Sequence, residues 1–382
     1  MENNVSEKRM NAGCVCFAAA LIILTIGCWN EYSWYEVMAP LGTLISFVLL
    51  AAALFCCTDL RFILSDRLFI LMIIGDVIAL AHLFIIKSNK GAFLTACDFM
   101  LVLYLFDKLV FPRLFKNLII AYLDFYLFYW TIDVKGYFKG YNTNYGGLVL
   151  LCGFIFALVG LFMIRDFLCK RGKITASWLM YIPIIFMFAW GYNIIAWYRA
   201  RCALVGLLVF ALVLVLPQKL LKNNIFYFLM KFAGTFGAVL ISVIYVLLGK
   251  LGDKFTIRIF YKDIISGREE IWSELWSAFL RSPFTGIGSS YVMKLSWMEG
   301  MFEVHNGLLD ILFVHGIAVF LIVVYMMFKR FKGLNVIAVG SMPQKCAFAG
   351  IYAILAASFM ENFVIVPPFL LCLLMLGSLL RN

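Results

Sequence analysis

Apolar runs about as long as a bilayer is thick recur along the chain, and they constrain its fold more than any other feature. The stretch from Leu148 to Ile164 contains no charged residue, and similar runs follow one another with only short polar breaks. Lipid offers a peptide backbone no hydrogen-bond partner. A chain of such runs can cross it only as helices or as a closed barrel. A barrel would show short segments of alternating polarity, whereas these runs are unbroken. The composition agrees. Of 382 residues, 64% are hydrophobic and 14% charged, with a mean hydropathy of +0.98. A soluble domain is about half apolar and about a quarter charged. Soluble globular, disordered, collagenous and disulfide-scaffold classes are therefore excluded.

The expected fold is an all-α polytopic membrane protein with about twelve transmembrane helices. They are placed at Ala12–Cys28, Val37–Cys57, Leu68–Ile86, Ala92–Phe111, Leu114–Ile132 and Gly146–Ile164, then at Ala176–Ala196, Cys202–Leu216, Ile225–Leu248, Asn306–Phe328, Cys346–Met360 and Val364–Leu380. Residues 1–382 then form a single integral-membrane domain. Residues 249–305 make a long loop, with an interfacial helix at about 267–281. The first apolar run lacks an A-x-A cleavage pattern and reads as an uncleaved helix.

The net charge of +11 invites a nucleic-acid reading, but no basic block with interleaved aromatics forms a groove, so no nucleic-acid partner is expected. The basic residues instead alternate with the runs. Alternate loops hold Lys8/Arg9, Arg61/Arg67, Lys108/Arg113/Lys116, Arg165/Lys170/Arg171/Lys173, Lys219/Lys222 and Lys329/Arg330/Lys332/Lys345. The intervening short loops hold only the pairs Lys87/Lys90, Lys135/Lys139 and Arg199/Arg201. By the positive-inside rule both termini are cytoplasmic and the long loop is extracytoplasmic. That loop still carries Lys250, Lys254, Arg258, Lys262, Arg268, Arg281 and Lys294, for which anion binding is the obvious use. The 11 cysteines lie mostly inside apolar runs, with no metal-spaced CxxC pair, and read as small buried hydrophobes.

Within the long loop, Ser266-Gly-Arg-Glu269 fits a capping box, with Ser266 at the N-cap. Ile271, Trp272, Leu275, Trp276 and Phe279 then share one helical face. Such a helix suits the lipid headgroup layer. Pro283-Phe-Thr-Gly286-Ile-Gly288 is rich in turn formers and cannot continue it.

The chain has no Walker A loop, no GxGxxG opening a helix after a strand, no HExxH and no D-x-D, so no nucleotide-driven active site is expected. Of three histidines, His82 and His315 lie within apolar runs and read as packing groups. His305 sits where the long loop meets a helix, beside Asn306 and near Glu303, where an imidazole can take or hold a proton. Arg199, Arg201 and Arg268 stand outside against the charge rule. Their guanidinium forks suit a diphosphate or an anionic lipid headgroup. The acids Asp76, Asp98, Asp124 and Asp310 within apolar runs support a rival reading, a transporter or flippase of lipid-linked sugars. No inverted repeat or broken-helix pair accompanies them. Asp310 lies one turn beyond Asn306 and can face the same cavity.

Taken together, Ser266-Gly-Arg268-Glu-Glu-Ile-Trp272, Pro283-Phe-Thr-Gly286-Ile-Gly288, His305-Asn306-Gly-Leu308 and Gly316-Ile317 resemble the O-antigen ligase/polymerase family of bacterial polysaccharide assembly. Tyr141-Asn142-Thr-Asn144-Tyr-Gly146 resembles the family's Asn-rich helix entry, and Ala200-Arg201-Cys-Ala-Leu-Val-Gly206 its Ser-Arg-Gly-Ala-Leu-Leu-Gly segment. Ala200 departs from the family's Ser, and Arg199 offers a second arginine, so either Arg199 or Arg201 can be the phosphate ligand.

The resemblance implies a metal-independent membrane glycosyltransferase of the bacterial cytoplasmic membrane, needing no cofactor. Its donor would be a glycan on undecaprenyl diphosphate. Arg201 and Arg268 would hold the diphosphate, and His305 would orient or deprotonate the attacking hydroxyl. Arg199, Asn306, Trp272, Trp276 and Asp310 would line the substrate. A polymerase for capsule, exopolysaccharide or O-antigen is preferred over a ligase acting on lipid A-core, because the long loop carries no extra acceptor-binding domain. Membrane lipid, a chain-length regulator and a flippase would be its partners.

Overall fold

A computed structural model describes the chain except for residues 1–4, 29–33, 87, 138–142, 252–257, 260–261, 264–266, 299–301 and 382. Tyr141, Asn142 and Ser266 of the sequence motifs lie outside the described residues. The helices are α1 (Glu7–Cys28), α2 (Trp34–Cys57), α3 (Leu60–Ile63), α4 (Arg67–Ile85), α5 (Lys90–Leu105) and α6 (Arg113–Tyr137). Next come α7 (Thr143–Lys170), α8 (Ile174–Leu179), α9 (Tyr181–Trp197), α10 (Arg201–Val215), α11 (Gln218–Lys222) and α12 (Asn224–Gly249). The last are α13 (Arg268–Phe279), α14 (Gly307–Arg330), α15 (Leu334–Ala338), α16 (Met342–Ala357) and α17 (Pro367–Leu380). A two-residue ladder pairing Arg258–Ile259 with Lys262–Asp263 interrupts this all-helical pattern.

Among the described residues, six helical stretches are long and apolar enough to cross a membrane: Glu7–Gly27, Arg67–Ile85, Asn144–Lys170, Ile174–Trp197, Asn224–Gly249 and Gly307–Arg330. Leu41–Cys57, Arg201–Val215 and Pro367–Leu380 are shorter apolar helices. The protein is thus a polytopic helical membrane protein. One expected span is shorter than its apolar run. Helix α5 stops at Leu105 instead of reaching Phe111. Arg330 ends it by donating to the carbonyls of Leu103 and Tyr104, both at 2.8 Å, while pairing with Asp107. Pro112 then bars the preceding residue from resuming a helix.

Helices α5, α7, α16 and α17 form the buried centre. In α17 every residue from Pro367 to Leu380 is buried. Around them, α4, α9 and α12 turn large apolar side chains outward, among them Ile74, Ile182, Ile185, Ile225 and Phe228. An exposed apolar belt of this kind is stable only against lipid. The first turns of α7 and α10 meet closely, because Gly147 has no Cβ to strike Ala200.

Helix α14 is expected to be continuous, but it breaks at Gly316, where φ is 79° and ψ is 176°. The turn-rich stretch 283–288 fills the break. Ile287 N–H donates to Phe313 O at 2.7 Å, and Gly288 N–H to Val314 O at 3.3 Å. In return, Ile317 N–H donates to Pro283 O at 2.9 Å. A side chain at Gly286 would lie 2.6 Å from the backbone of Phe313 and Gly316, so both glycines are needed for two backbones to touch here. The carbonyls of Phe313 and Val314 and the N–H of Ile317, freed by the break, are thus re-used, as a lipid-bounded helix requires.

Candidate active site

Four chain segments meet where α13 and α14 begin. Asn144 comes from the first turn of α7, Arg201 from the start of α10, Arg268 from the start of α13, and Glu303 and His305 from the approach to α14. A fifth piece, the turn between α16 and α17, supplies Glu361. Arg268 Nη2 donates to Glu361 Oε1 at 2.7 Å and to Met360 O at 2.9 Å. Asn144 Nδ2 donates to the same carboxylate oxygen at 2.6 Å. The other oxygen, Oε2, lies 3.1 Å from His305 Nδ1, and Glu303 Oε1 lies 3.3 Å from that nitrogen.

Glu361 is 3% exposed, and burial pushes its carboxyl pKa up. The hydrogen bond from His305, the Arg268 charge and the Asn144 amide together outweigh burial and hold it below the ordinary glutamate value. Glu303 goes the other way. Burial raises it, the charge of Glu361 adds to the rise, and His305 and Arg268 only partly offset it. An ionised Glu361 can only accept, so His305 Nδ1 must carry the proton. In the neutral ring the lone pair is then on Nε2, aimed away from the carboxylate. A fifth of the His305 side chain remains exposed. This is the arrangement of a base oriented by an acid.

Backbone geometry sets the ring there. His305 has φ of 53°, in the left-handed region, and the next residue, Asn306, caps α14 by accepting from Leu309 N–H at 3.1 Å. Asn306 N–H donates to Asn362 Oδ1 at 2.7 Å, which ties the start of α14 to the turn carrying Glu361. A left-handed non-glycine residue held by such contacts marks a site worth its strain.

The expected site residues divide into those that meet and those that do not. Arg201 is half-buried and interacts electrostatically with Arg268, Tyr245 and Glu361. Arg199 is exposed, two residues before that helix start, with a left-handed φ of 54°. Asp310 is within electrostatic reach of Glu303. Asn306 is fully buried, and its amide donates to Phe359 O at 3.0 Å and to Ala238 O at 3.4 Å, so its work is structural. Trp272 is also fully buried, with Nε1 donating to Val304 O at 2.8 Å and its ring 5.1 Å from Tyr245. Trp276 donates to Ser242 at 3.1 Å and packs edge-on to Phe313 at 5.0 Å. The aromatic face of α13 therefore lies against α12 and α14 and not along lipid headgroups. The apolar face finds a protein partner first, because α13 sits directly over the start of α14. Its N-cap is Gly267 at φ 82°, with no side-chain cap bond, in place of the expected Ser266.

Sequence reasoning missed Glu361 and the part played by Asn144. The signal for Glu361 was an acid-amide pair, Glu361-Asn362, wedged between two apolar runs.

Residues 184–324 match the family model described as O-antigen ligase. Over this stretch the chain is similar to the O-antigen ligase family. The matched stretch includes Arg201, Arg268 and His305 and leaves Asn144 and Glu361 outside. No curated protein and no solved structure matches the chain. The match and the apolar helices together fit a multi-pass membrane protein.

Proposed function

We propose that the protein polymerises undecaprenyl-diphosphate-linked oligosaccharide repeat units at the outer face of the cytoplasmic membrane. The observation that supports this most is the shared carboxylate of Glu361, which fixes Arg268 and His305 beside each other with Arg201 in reach. A guanidinium has five donors, so Arg268 can keep Glu361 and still face a phosphate. Arg201 and Arg268 hold the donor diphosphate. His305 Nε2 accepts the proton of an acceptor hydroxyl as its oxygen attacks the anomeric carbon. The bond from that carbon to the diphosphate oxygen breaks, and the diphosphate leaves with the electron pair, its charge stabilised by the two arginines. A single displacement inverts the anomeric centre. The leaving group is good enough that neither ATP nor a metal is required.

Glu303, His305 and Glu361 place ligand atoms within 4.8 Å of one another, a spacing a divalent cation can use. Here, however, Glu361 already spends both oxygens on Arg268, Asn144 and His305, so the cluster is read as proton-handling.

Twelve spans, cytoplasmic termini and an outward long loop belong to the same proposal. So does the choice of polymerase over ligase, which share this chemistry and differ in acceptor. The test is polymer formation in cells. His305→Ala should lower transfer about 10²- to 10⁴-fold, and Arg268→Ala about 10²- to 10³-fold, with normal membrane insertion of both. Wild-type chain-length ladders from both variants would sink the assignment. Loss of repeat-unit export instead of polymer would favour a flippase.

A further inference from the structure

We propose that the face of α13 turned away from the bundle is the floor of a trough that holds the acceptor oligosaccharide. This rests on the glycosyl-transfer reading above. A cavity of about 910 Å3 runs along this helix. One side of α13, with Trp272, Leu275 and Phe279, is buried against the bundle, while Glu270, Ser273, Glu274 and Ser277 face the cavity. Tyr291 and Lys294 of the following loop form the opposite wall.

The walls are tied to the floor. Tyr291 Oη donates to Glu274 Oε1 at 3.0 Å, and Lys294 N–H donates to the same oxygen at 2.7 Å. Trp297 Nε1 donates to Glu270 Oε2 at 2.9 Å. Lys250 and Arg281 also line the space. A lining of both charge signs repels a polyanion and a polycation alike. It suits a neutral, hydroxyl-rich ligand that donates and accepts in turn, with an aromatic ring available for its C–H faces.

The dimensions agree. A helix of 12 residues is about 18 Å long, and the volume is in the upper range of ligand pockets, about 300–1,000 Å3. That is room for several sugar rings. The trough also reaches the start of α13, where Glu269 lines it and the preceding residue, Arg268, turns into the bundle toward Glu361. A glycan lying in the trough brings its terminal hydroxyl to that end. Sites built on a helix hold such geometry better than sites on loops.

The test uses the full-length protein in nanodiscs and two probes. One is the fluorescently tagged oligosaccharide released by mild acid from the same cells' lipid-linked repeat units. The other is undecaprenyl diphosphate. Ser277→Trp fills the trough, and Glu274→Gln removes a charge at constant volume. The expected result is that each weakens oligosaccharide binding at least about tenfold and leaves undecaprenyl diphosphate binding unchanged. Wild-type affinity in Glu274→Gln overturns the trough even if Ser277→Trp proves unfolded. Failure of the wild-type protein to bind the oligosaccharide does so as well. Because the lipid-linked repeat unit is itself the acceptor in polymerisation, saturation with it should displace the oligosaccharide, and retained binding would place the oligosaccharide outside the acceptor trough and overturn the proposal. If the wild-type protein binds no undecaprenyl diphosphate, the glycosyl-transfer reading fails, and the oligosaccharide measurement alone decides the trough.

Discussion

Glu361 bears more of this site than any other single side chain. Its carboxylate satisfies an arginine, an amide and an imidazole from three distant parts of the chain. Removing it strands a buried guanidinium, so Glu361→Ala should cost about 3–5 kcal/mol of stability, read by thermal unfolding in detergent. Glu361→Gln keeps the shape but can no longer hold the His305 tautomer, since an amide can offer N–H as well as C=O. Its loss should show mainly in turnover, with diphosphate affinity close to wild type. The pH dependence follows from two opposed shifts. Glu361 titrates below its ordinary value of 4.5, so its contribution is present above that pH and is lost as pH falls through the folded-state value. Glu303 titrates above 4.5, so its contribution is present below that pH and fades as pH rises through its folded-state value. Stability should therefore hold or rise slightly on acidification toward 4.5 and fall only below it. Glu361→Gln should lack the acid limb. Melting curves across this range check the order of the two events.

At the level of elements, the helices were legible because apolar length alone sets them, and α10, α12 and α14 begin within a few residues of where the hydropathy places them. The aromatic stripe of α13 was legible as a stripe, but what it faces was not. Periodicity reports that one side is apolar and says nothing of whether lipid or protein covers it, and here Trp272 is shut between Tyr245 and Val304. Arg201, Arg268 and His305 stood out as polar groups at helix starts. Glu361 did not, because its meaning depends on a turn more than 90 residues away in sequence from Arg268 folding back on it. The break in α14 was hidden for a related reason. A lone Gly316 is tolerated in many helices, and only docking of residues 283–288 makes it a kink. Gly316→Ala should drive a methyl into the backbone of Phe284 and lose at least about 1–3 kcal/mol. A drop in melting temperature together with loss of polymer is the expected outcome, and wild-type stability would mean that the loop is not seated there.

For the whole molecule, orientation is the open prediction, and the protein carries its own control. Cys169, at the end of α7, is exposed and should lie on the cytoplasmic side. Ser290, exposed in the loop before α14, should lie outside. In intact cells a membrane-impermeant maleimide should label Ser290→Cys, and Cys169 should react only after permeabilisation. The reverse pattern would invert the protein in the bilayer. The seam at Gly316 gives the architecture a further property. The short stretch Gly307–His315 is spliced at one end to residues 283–288 and at the other, through Asn306, to the turn bearing Glu361. The helix carrying Arg268 runs directly into residues 283–288. The arginine, the histidine and the acid are thus mounted on one splinted frame, separate from the lower half of α14. If the membrane-embedded helices shift to admit a long lipid tail, the reacting groups can travel together and keep their spacing.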